Sequence, residues 1–164
     1  MTTRKFEVER FSLTSSRSFL EVLGTLDAAL GHPDPQRFRE NVAAAKTFAE
    51  LEKVVQEVLG PSGLMEFARF DFGVVLRKRM EKGAPQSVRL VLGNPLIMTR
   101  MVMHAPDAGS YVPVTILIDE RQDGVHLSYD RIASFLAPYE NSEALKVAQD
   151  LDAKIEALLK DASR

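Results

Sequence analysis

The stretch from Val114 to Tyr129 constrains the fold most. Val114, Ile116 and Ile118 alternate with more polar residues, Asp123-Gly124 supplies a turn, and Val125, Leu127 and Tyr129 alternate on the return. A period of two on both sides of such a turn predicts an antiparallel hairpin with one buried face. On the return strand His126, Ser128 and Asp130 then share the opposite face. Around this hairpin the pattern predicts more strands: one near the N-terminus through Phe6, Val8, Phe11 and Leu13, one from Leu64 to Asp71, and one from Ser87 to Leu92.

Helices are marked by their caps. Ser18 with Glu21 and Thr47 with Glu50 have capping-box spacing, each ahead of apolar residues at three- and four-residue intervals. The first helix stops at Gly31, Pro33 and Pro35, and Gly60-Pro61 closes the second. Between them Phe38 and Val42 mark a helical turn or a loop. Short helices are predicted for Gly73–Lys82, Leu96–His104 and Ile132–Leu136. A long one runs from Ser142 to Lys160, with Leu145, Ala148, Leu151, Ile155, Leu158 and Leu159 as its buried stripe. Strands and helices that do not strictly alternate define an α+β protein, with helices packed on an antiparallel sheet of four to five strands. No interdomain linker is visible, so 1–164 reads as one domain, with a helical insertion at 33–57.

Composition removes several classes of function. Without Cys there are no disulfides, thiolate metal sites or cysteine nucleophiles. Twenty-one basic against 23 acidic residues give a net charge of -2, which offers nucleic acid no general attraction. Charges interrupt the apolar residues of the N-terminus, and no apolar run reaches the roughly 20 residues of a membrane span. A cytoplasmic protein with neither a nucleic-acid nor a membrane partner is the expectation.

Candidate sites are few. Gly93-Asn94-Pro95 lies between a strand and a helical run. There exposed N–H groups and the Asn94 amide offer hydrogen bonds to a ligand; alternatively Asn94 bonds its own turn while Pro95 starts the helix. His126, Ser128 and Asp130 either line a polar pocket or face water. They stand in parallel along a strand, so they make no Ser-His-Asp triad, and no nucleophile elbow is present. On the other face, Tyr129 is expected to be buried with its hydroxyl tied to one partner. Met98, Met101, Met103 and His104 offer soft ligands of the kind Cu(I) takes, although a packed methionine face accounts for the same pattern. Arg69 and Arg89 on strands, with Asp71 and Asp119 near strand ends, make either charged pairs, a small acidic-ligand site or solvated strand faces.

Leu90-Val-Leu-Gly-Asn-Pro95, then Val112-Pro113-Val114, then Asp123-Gly-Val-His-Leu-Ser-Tyr-Asp130 together resemble the domain of unknown function 302 family of small bacterial and archaeal proteins. The matching positions are Gly93, Asn94, Pro95, Pro113, Gly124, Ser128 and Tyr129. Asp71 resembles a family aspartate at the end of the second strand, and Phe72 stands where many members carry His. The resemblance covers 60–160 well and the first strand and helix loosely. It implies a TATA-binding-protein-like order of strand, helix, several strands and closing helix. It implies no activity, and a shared sheet shape does not carry DNA binding with it.

The favoured functional reading is a non-catalytic small-ligand-binding or regulatory module, a homodimer without a cofactor, with its site near Asp71, Gly93, Asn94, Pro95, His126, Ser128 and Tyr129. Two alternatives stand beside it. One is an enzyme on a small metabolite using Tyr129 or His126 as proton donor and Asp71 as base. The other is an interaction domain that buries the Met98–Met103 face.

Overall fold

The computed structural model describes residues 3–80 and 83–164. Among these, the strands are β1 (Arg10–Ser15), β2 (Met65–Asp71), β3 (Ser87–Gly93), β4 (Val114–Arg121) and β5 (Gly124–Asp130). The α-helices are α1 (Phe19–Ala29), α2 (Pro35–Ala44), α3 (Phe48–Gln56), α4 (Phe72–Arg79), α5 (Pro95–Val102), α6 (Ile132–Leu136) and α7 (Ser142–Ser163). The strands form one antiparallel sheet in the order β1-β5-β4-β3-β2. The α+β class with five antiparallel strands and helices on the sheet is as the sequence indicates.

Alternation decides which face is covered. Val88, Leu90 and Leu92 of β3, Val114, Ile116 and Ile118 of β4, and Val125, Leu127 and Tyr129 of β5 are all buried. They meet Phe19, Val22 and Leu26 of α1, Met101 of α5 and the Leu151, Ile155 and Leu159 stripe of α7 in one core. The opposite face of the sheet carries Arg89, Thr115, Leu117, His126, Ser128 and Asp130, none of them buried. Both expected capping boxes start helices. Ser18 accepts from the Glu21 N–H while Glu21 accepts from the Ser18 N–H. Thr47 accepts from the Glu50 N–H, but the Glu50 carboxylate turns to the Lys46 N–H instead.

Four local expectations are corrected. The first strand begins at Arg10, because Phe6 leaves its line to pack on Tyr111, Phe135 and Tyr139. Phe38 and Val42 sit in a full helix, α2, capped by the Asp34 side chain and opened by Pro35. The helix expected from Gly73 to Lys82 spans Phe72–Arg79, and 81–82 lie outside the described residues. The hairpin turn is also one residue off. Arg121 pairs with Gly124, so Gln122 and Asp123 form the loop and Gly124 already lies in the strand. Its φ of 134° suits glycine, and a Cβ there would come within 2.5 Å of the Ser15 carbonyl oxygen on β1.

α7 is fixed to the rest of the chain along its length. At its start Asn141 caps the helix through the Ala144 N–H and donates to the His104 carbonyl. Midway, the buried Asp152 carboxylate accepts three hydrogen bonds, from the Tyr129 hydroxyl at 2.5 Å and from the Ile132 and Ala133 N–H groups at 2.9 and 3.0 Å. The two N–H groups belong to the first turn of α6, whose own N-cap residue Arg131 provides no side-chain cap, so a side chain of another helix satisfies them. At its end the Ala162 and Ser163 carbonyls accept from Arg17 and Ser15.

Burial pushes the Asp152 carboxyl above the ordinary aspartate range, against the opposing pull of its donors. The stability linked to this raised pKa is fully present below about pH 3.8 and is lost as pH rises through the folded value. Asp152→Ala strands three donors and is expected to cost about 3 kcal/mol or more, with Tyr129→Phe costing about 1 kcal/mol. Asp152→Asn cannot ionise, so its stability gap to the wild type should narrow as pH rises from below 3.8 to neutrality. Urea unfolding across pH measures all three, and an Asp152→Ala loss no larger than that of Tyr129→Phe would contradict the assignment.

Candidate functional site

Where β3 and β4 meet the start of α5, the helices leave a cavity of about 450 Å³. Gly93 ends β3, Asn94 caps α5 and Pro95 is its first residue. The Asn94 Oδ1 accepts from the Leu96 N–H at 2.8 Å, and its Nδ2 donates to the Gly63 carbonyl at 3.0 Å. Both ends of the amide are therefore engaged by the fold, as the turn reading of this motif has it. What the motif offers a ligand is shape. At Gly93 a Cβ would stand 3.1 Å from the Phe67 ring and 3.4 Å from Pro113, so a side chain here would crowd the wall. Ile97, Met98 and Met101 of α5, Val112 and Leu151 of α7 complete an apolar lining. Among the described residues Asn94 is the sole one of that lining with a polar side chain.

The structure divides the candidate residues among six places. Gly93, Asn94 and Pro95 lie on the cavity together with Met98 and Met101. Met103 and His104 do not join them: Met101 is fully buried while Met103 is 81% exposed at the end of α5, and His104 is exposed as well. The four soft ligands are thus split, Met98 and Met101 facing the cavity and Met103 and His104 lying exposed, because α5 turns about 100° per residue.

Ser128 and Asp130 border a second hollow, of about 330 Å³, on the uncovered sheet face. Asp130 is held there by Arg10 through two hydrogen bonds of 2.6 and 2.9 Å, and this contact lowers its pKa. His126 stands nearer the hairpin turn, where its Nε2 lies 2.8 Å from the Asp123 carboxylate. Asp71 caps α4 through the Val74 N–H and faces Arg77 at 3.7 Å.

Tyr129 points the other way, into the core, with 1% of its surface exposed. Burial first, then the Asp152 charge, push its hydroxyl well above the ordinary tyrosine range, so it remains a neutral donor to Asp152. Tyr129, His126 and Asp71 thus occupy a core, a turn and a helix cap. No common cleft gathers them as proton donor and base.

Sequence reasoning missed Asp152 and half of the cavity wall. The signal for Asp152 was present: it follows Leu151 and falls between Ala148 and Ile155, on the apolar stripe of α7. A carboxylate in that position needs buried donors. Phe67, Val112 and Leu151 reach the cavity from elements far apart in the chain, and no local pattern announces that meeting.

An antiparallel sheet with one face under helices and an apolar hollow at its end defines an α+β protein. The chain belongs to the family described as Domain of unknown function DUF302, whose model matches residues 40–162. It is similar in fold to the crystal structure of an uncharacterized conserved protein DUF302 from Bacillus stearothermophilus, with a TM-score of 0.64 and 14% sequence identity. That similarity covers 94% of this chain and 98% of the other. No curated protein matches the chain.

Asn94→Ala removes the cap of α5 and the tie to Gly63, and is expected to lower stability by about 1–2 kcal/mol. Asn94→Asp keeps the acceptor for Leu96 and should recover part of that loss in the same urea titration. Equal stability of Asn94→Ala and wild type would contradict the structural role given to this amide.

Proposed function

We propose that the protein is a non-catalytic ligand-binding module that takes an apolar small molecule into the cavity behind the Gly93-Asn94-Pro95 turn. The observation that carries this reading is the apolar wall around about 450 Å³ of space, with its one polar side chain committed to the backbone. Small-molecule sites fall at about 300–1,000 Å³ and are mostly apolar. A hollow of about 450 Å³ with an apolar lining accommodates a ring or a short hydrocarbon chain.

Specificity follows from the same walls. A ligand carrying a charge into this space would lose its hydration with no partner to replace it, at a cost of several kcal/mol. Neutral, compact molecules are selected, and Met98 and Met101 adjust to their outline because unbranched thioether side chains have several rotatable bonds.

Benzene is the simplest probe. At a concentration ten times its Kd it is expected to raise unfolding free energy by about 1.4 kcal/mol, read as a rise in Tm. Met98 is only half-buried on the cavity wall, so Met98→Trp should fill the space, abolish the benzene-dependent rise and leave the apo protein close to wild-type stability. An equal rise in both proteins, or none in either, would overturn the reading.

A further inference from the structure

We propose that the uncovered face of the sheet holds a second site, for a small monoanionic ligand with an apolar body, anchored on Arg89. It is separate from the cavity and stands on different observations.

The first is an imbalance of charge. The strands carry four arginines among the described residues, and three have carboxylate partners: Arg10 with Asp130, Arg69 with Glu66 and Asp27, and Arg121 with Asp119. Arg89, on the interior strand β3, has none among the described residues, and its Nη2 donates only to the Thr115 hydroxyl at 3.3 Å. Among the described residues the one carboxylate bordering the same hollow, Asp130, is already taken in two-point fashion by Arg10. Asp119, two residue pairs along the β3–β4 ladder, is bound to Arg121 at 2.5 Å. Among the described residues the charged groups of the hollow, Arg10, Arg89 and Asp130, therefore sum to a single positive charge.

The second is the arrangement around that charge. Sheet register places Arg89 opposite Leu117, and Leu117 opposite Ser128, so cation, apolar floor and hydroxyl form one row across three adjacent strands. Cross-strand neighbours lie roughly 4.5–5.5 Å apart, so the row spans the length of a small ring bearing an acid group. Thr115 contributes a second hydroxyl beside Arg89, and Phe72, 39% exposed at the first turn of α4, forms an apolar wall over the same hollow of about 330 Å³. A guanidinium presents a planar fork of donors that matches a carboxylate in two-point contact. Leu117 and Phe72 would then cover the body of the ligand. Dianions are disfavoured because a single unpaired cation faces them. Simple small anions such as acetate leave the apolar floor uncovered.

The test uses the full chain and phenylacetate as probe, followed by ¹H–¹⁵N NMR. Saturable shifts are expected at Arg89, Thr115, Leu117 and Ser128. Acetate and 2-phenylethanol, each lacking one half of the recognition, should bind at least ten-fold more weakly. Arg89→Gln should raise the phenylacetate Kd ten-fold or more with amide dispersion unchanged, since this side chain is exposed and its loss disturbs no core contact. Arg89→Lys, which keeps the charge and loses the fork, should fall between the two. Three results would overturn the proposal: no saturable shift, shifts confined to Gly93–Met101 at the cavity, or an Arg89→Gln affinity equal to wild type. Loss of benzene binding alone would overturn the cavity reading and leave this site standing, because the two probes report on different residues.

Discussion

The buried Asp152 carboxylate is the contact on which the arrangement of the other elements depends. A lone carboxylate inside a core is costly, and it becomes tolerable when donors surround it. Here the donors come from two different elements. Tyr129 brings the end of β5, and the Ile132 and Ala133 N–H groups bring the first turn of α6. One side chain on α7 thus fixes where the sheet ends and where the next helix begins. Arg131, immediately before that turn, is held by Glu156 one helical turn further along α7, which repeats the same tie at the surface. With the middle of α7 set in this way, its two ends reach the loop after α5 through Asn141 and the end of β1 through Ser15.

The placement of α7 explains why space remains at one end of the sheet. Leu151 precedes Asp152, so the contact that anchors the helix also sets the distance of Leu151 from β3 and β4. Opposite it, Gly93 and Gly109 contribute no side chains, and Pro113 has a short, rigid one. An apolar hollow of this size leaves its lining without the contacts that a bound apolar molecule would supply. The cap on α5 holds the wall formed by Pro95, Ile97, Met98 and Met101 in place. The uncovered sheet face has the opposite character: none of its charges is buried, most are paired, and they are interrupted by the row from Arg89 through Leu117 to Ser128.

Much of this was legible in the sequence because it is governed by local periodicity. The buried faces of β3, β4 and β5, the capping boxes of α1 and α3, and the start of α5 at Pro95 each follow from residues close together in the chain. The inward direction of Tyr129 was legible for the same reason. What escaped local reading depends on contacts between distant segments. Phe6 leaves the line of β1 because three aromatic side chains elsewhere offer more burial than a strand edge does. The position of Gly124 reflects the close approach of β1, which lies more than a hundred residues earlier. The identity of the Tyr129 partner required seeing Asp152 as a misfit on an apolar stripe. The soft-ligand cluster reads as one group along the chain, and the helix separates it by burying Met101 and exposing Met103.

The most direct test of the central claim is a crystal structure of the protein under xenon pressure, since xenon enters apolar voids without needing hydrogen bonds. The expected result is xenon density among Met98, Met101 and Leu151, with Asn94 still bonded to Leu96 and Gly63. A cavity collapsed onto its side chains, or occupied by ordered waters bonded to a freed Asn94 amide, would contradict an apolar binding site behind this turn.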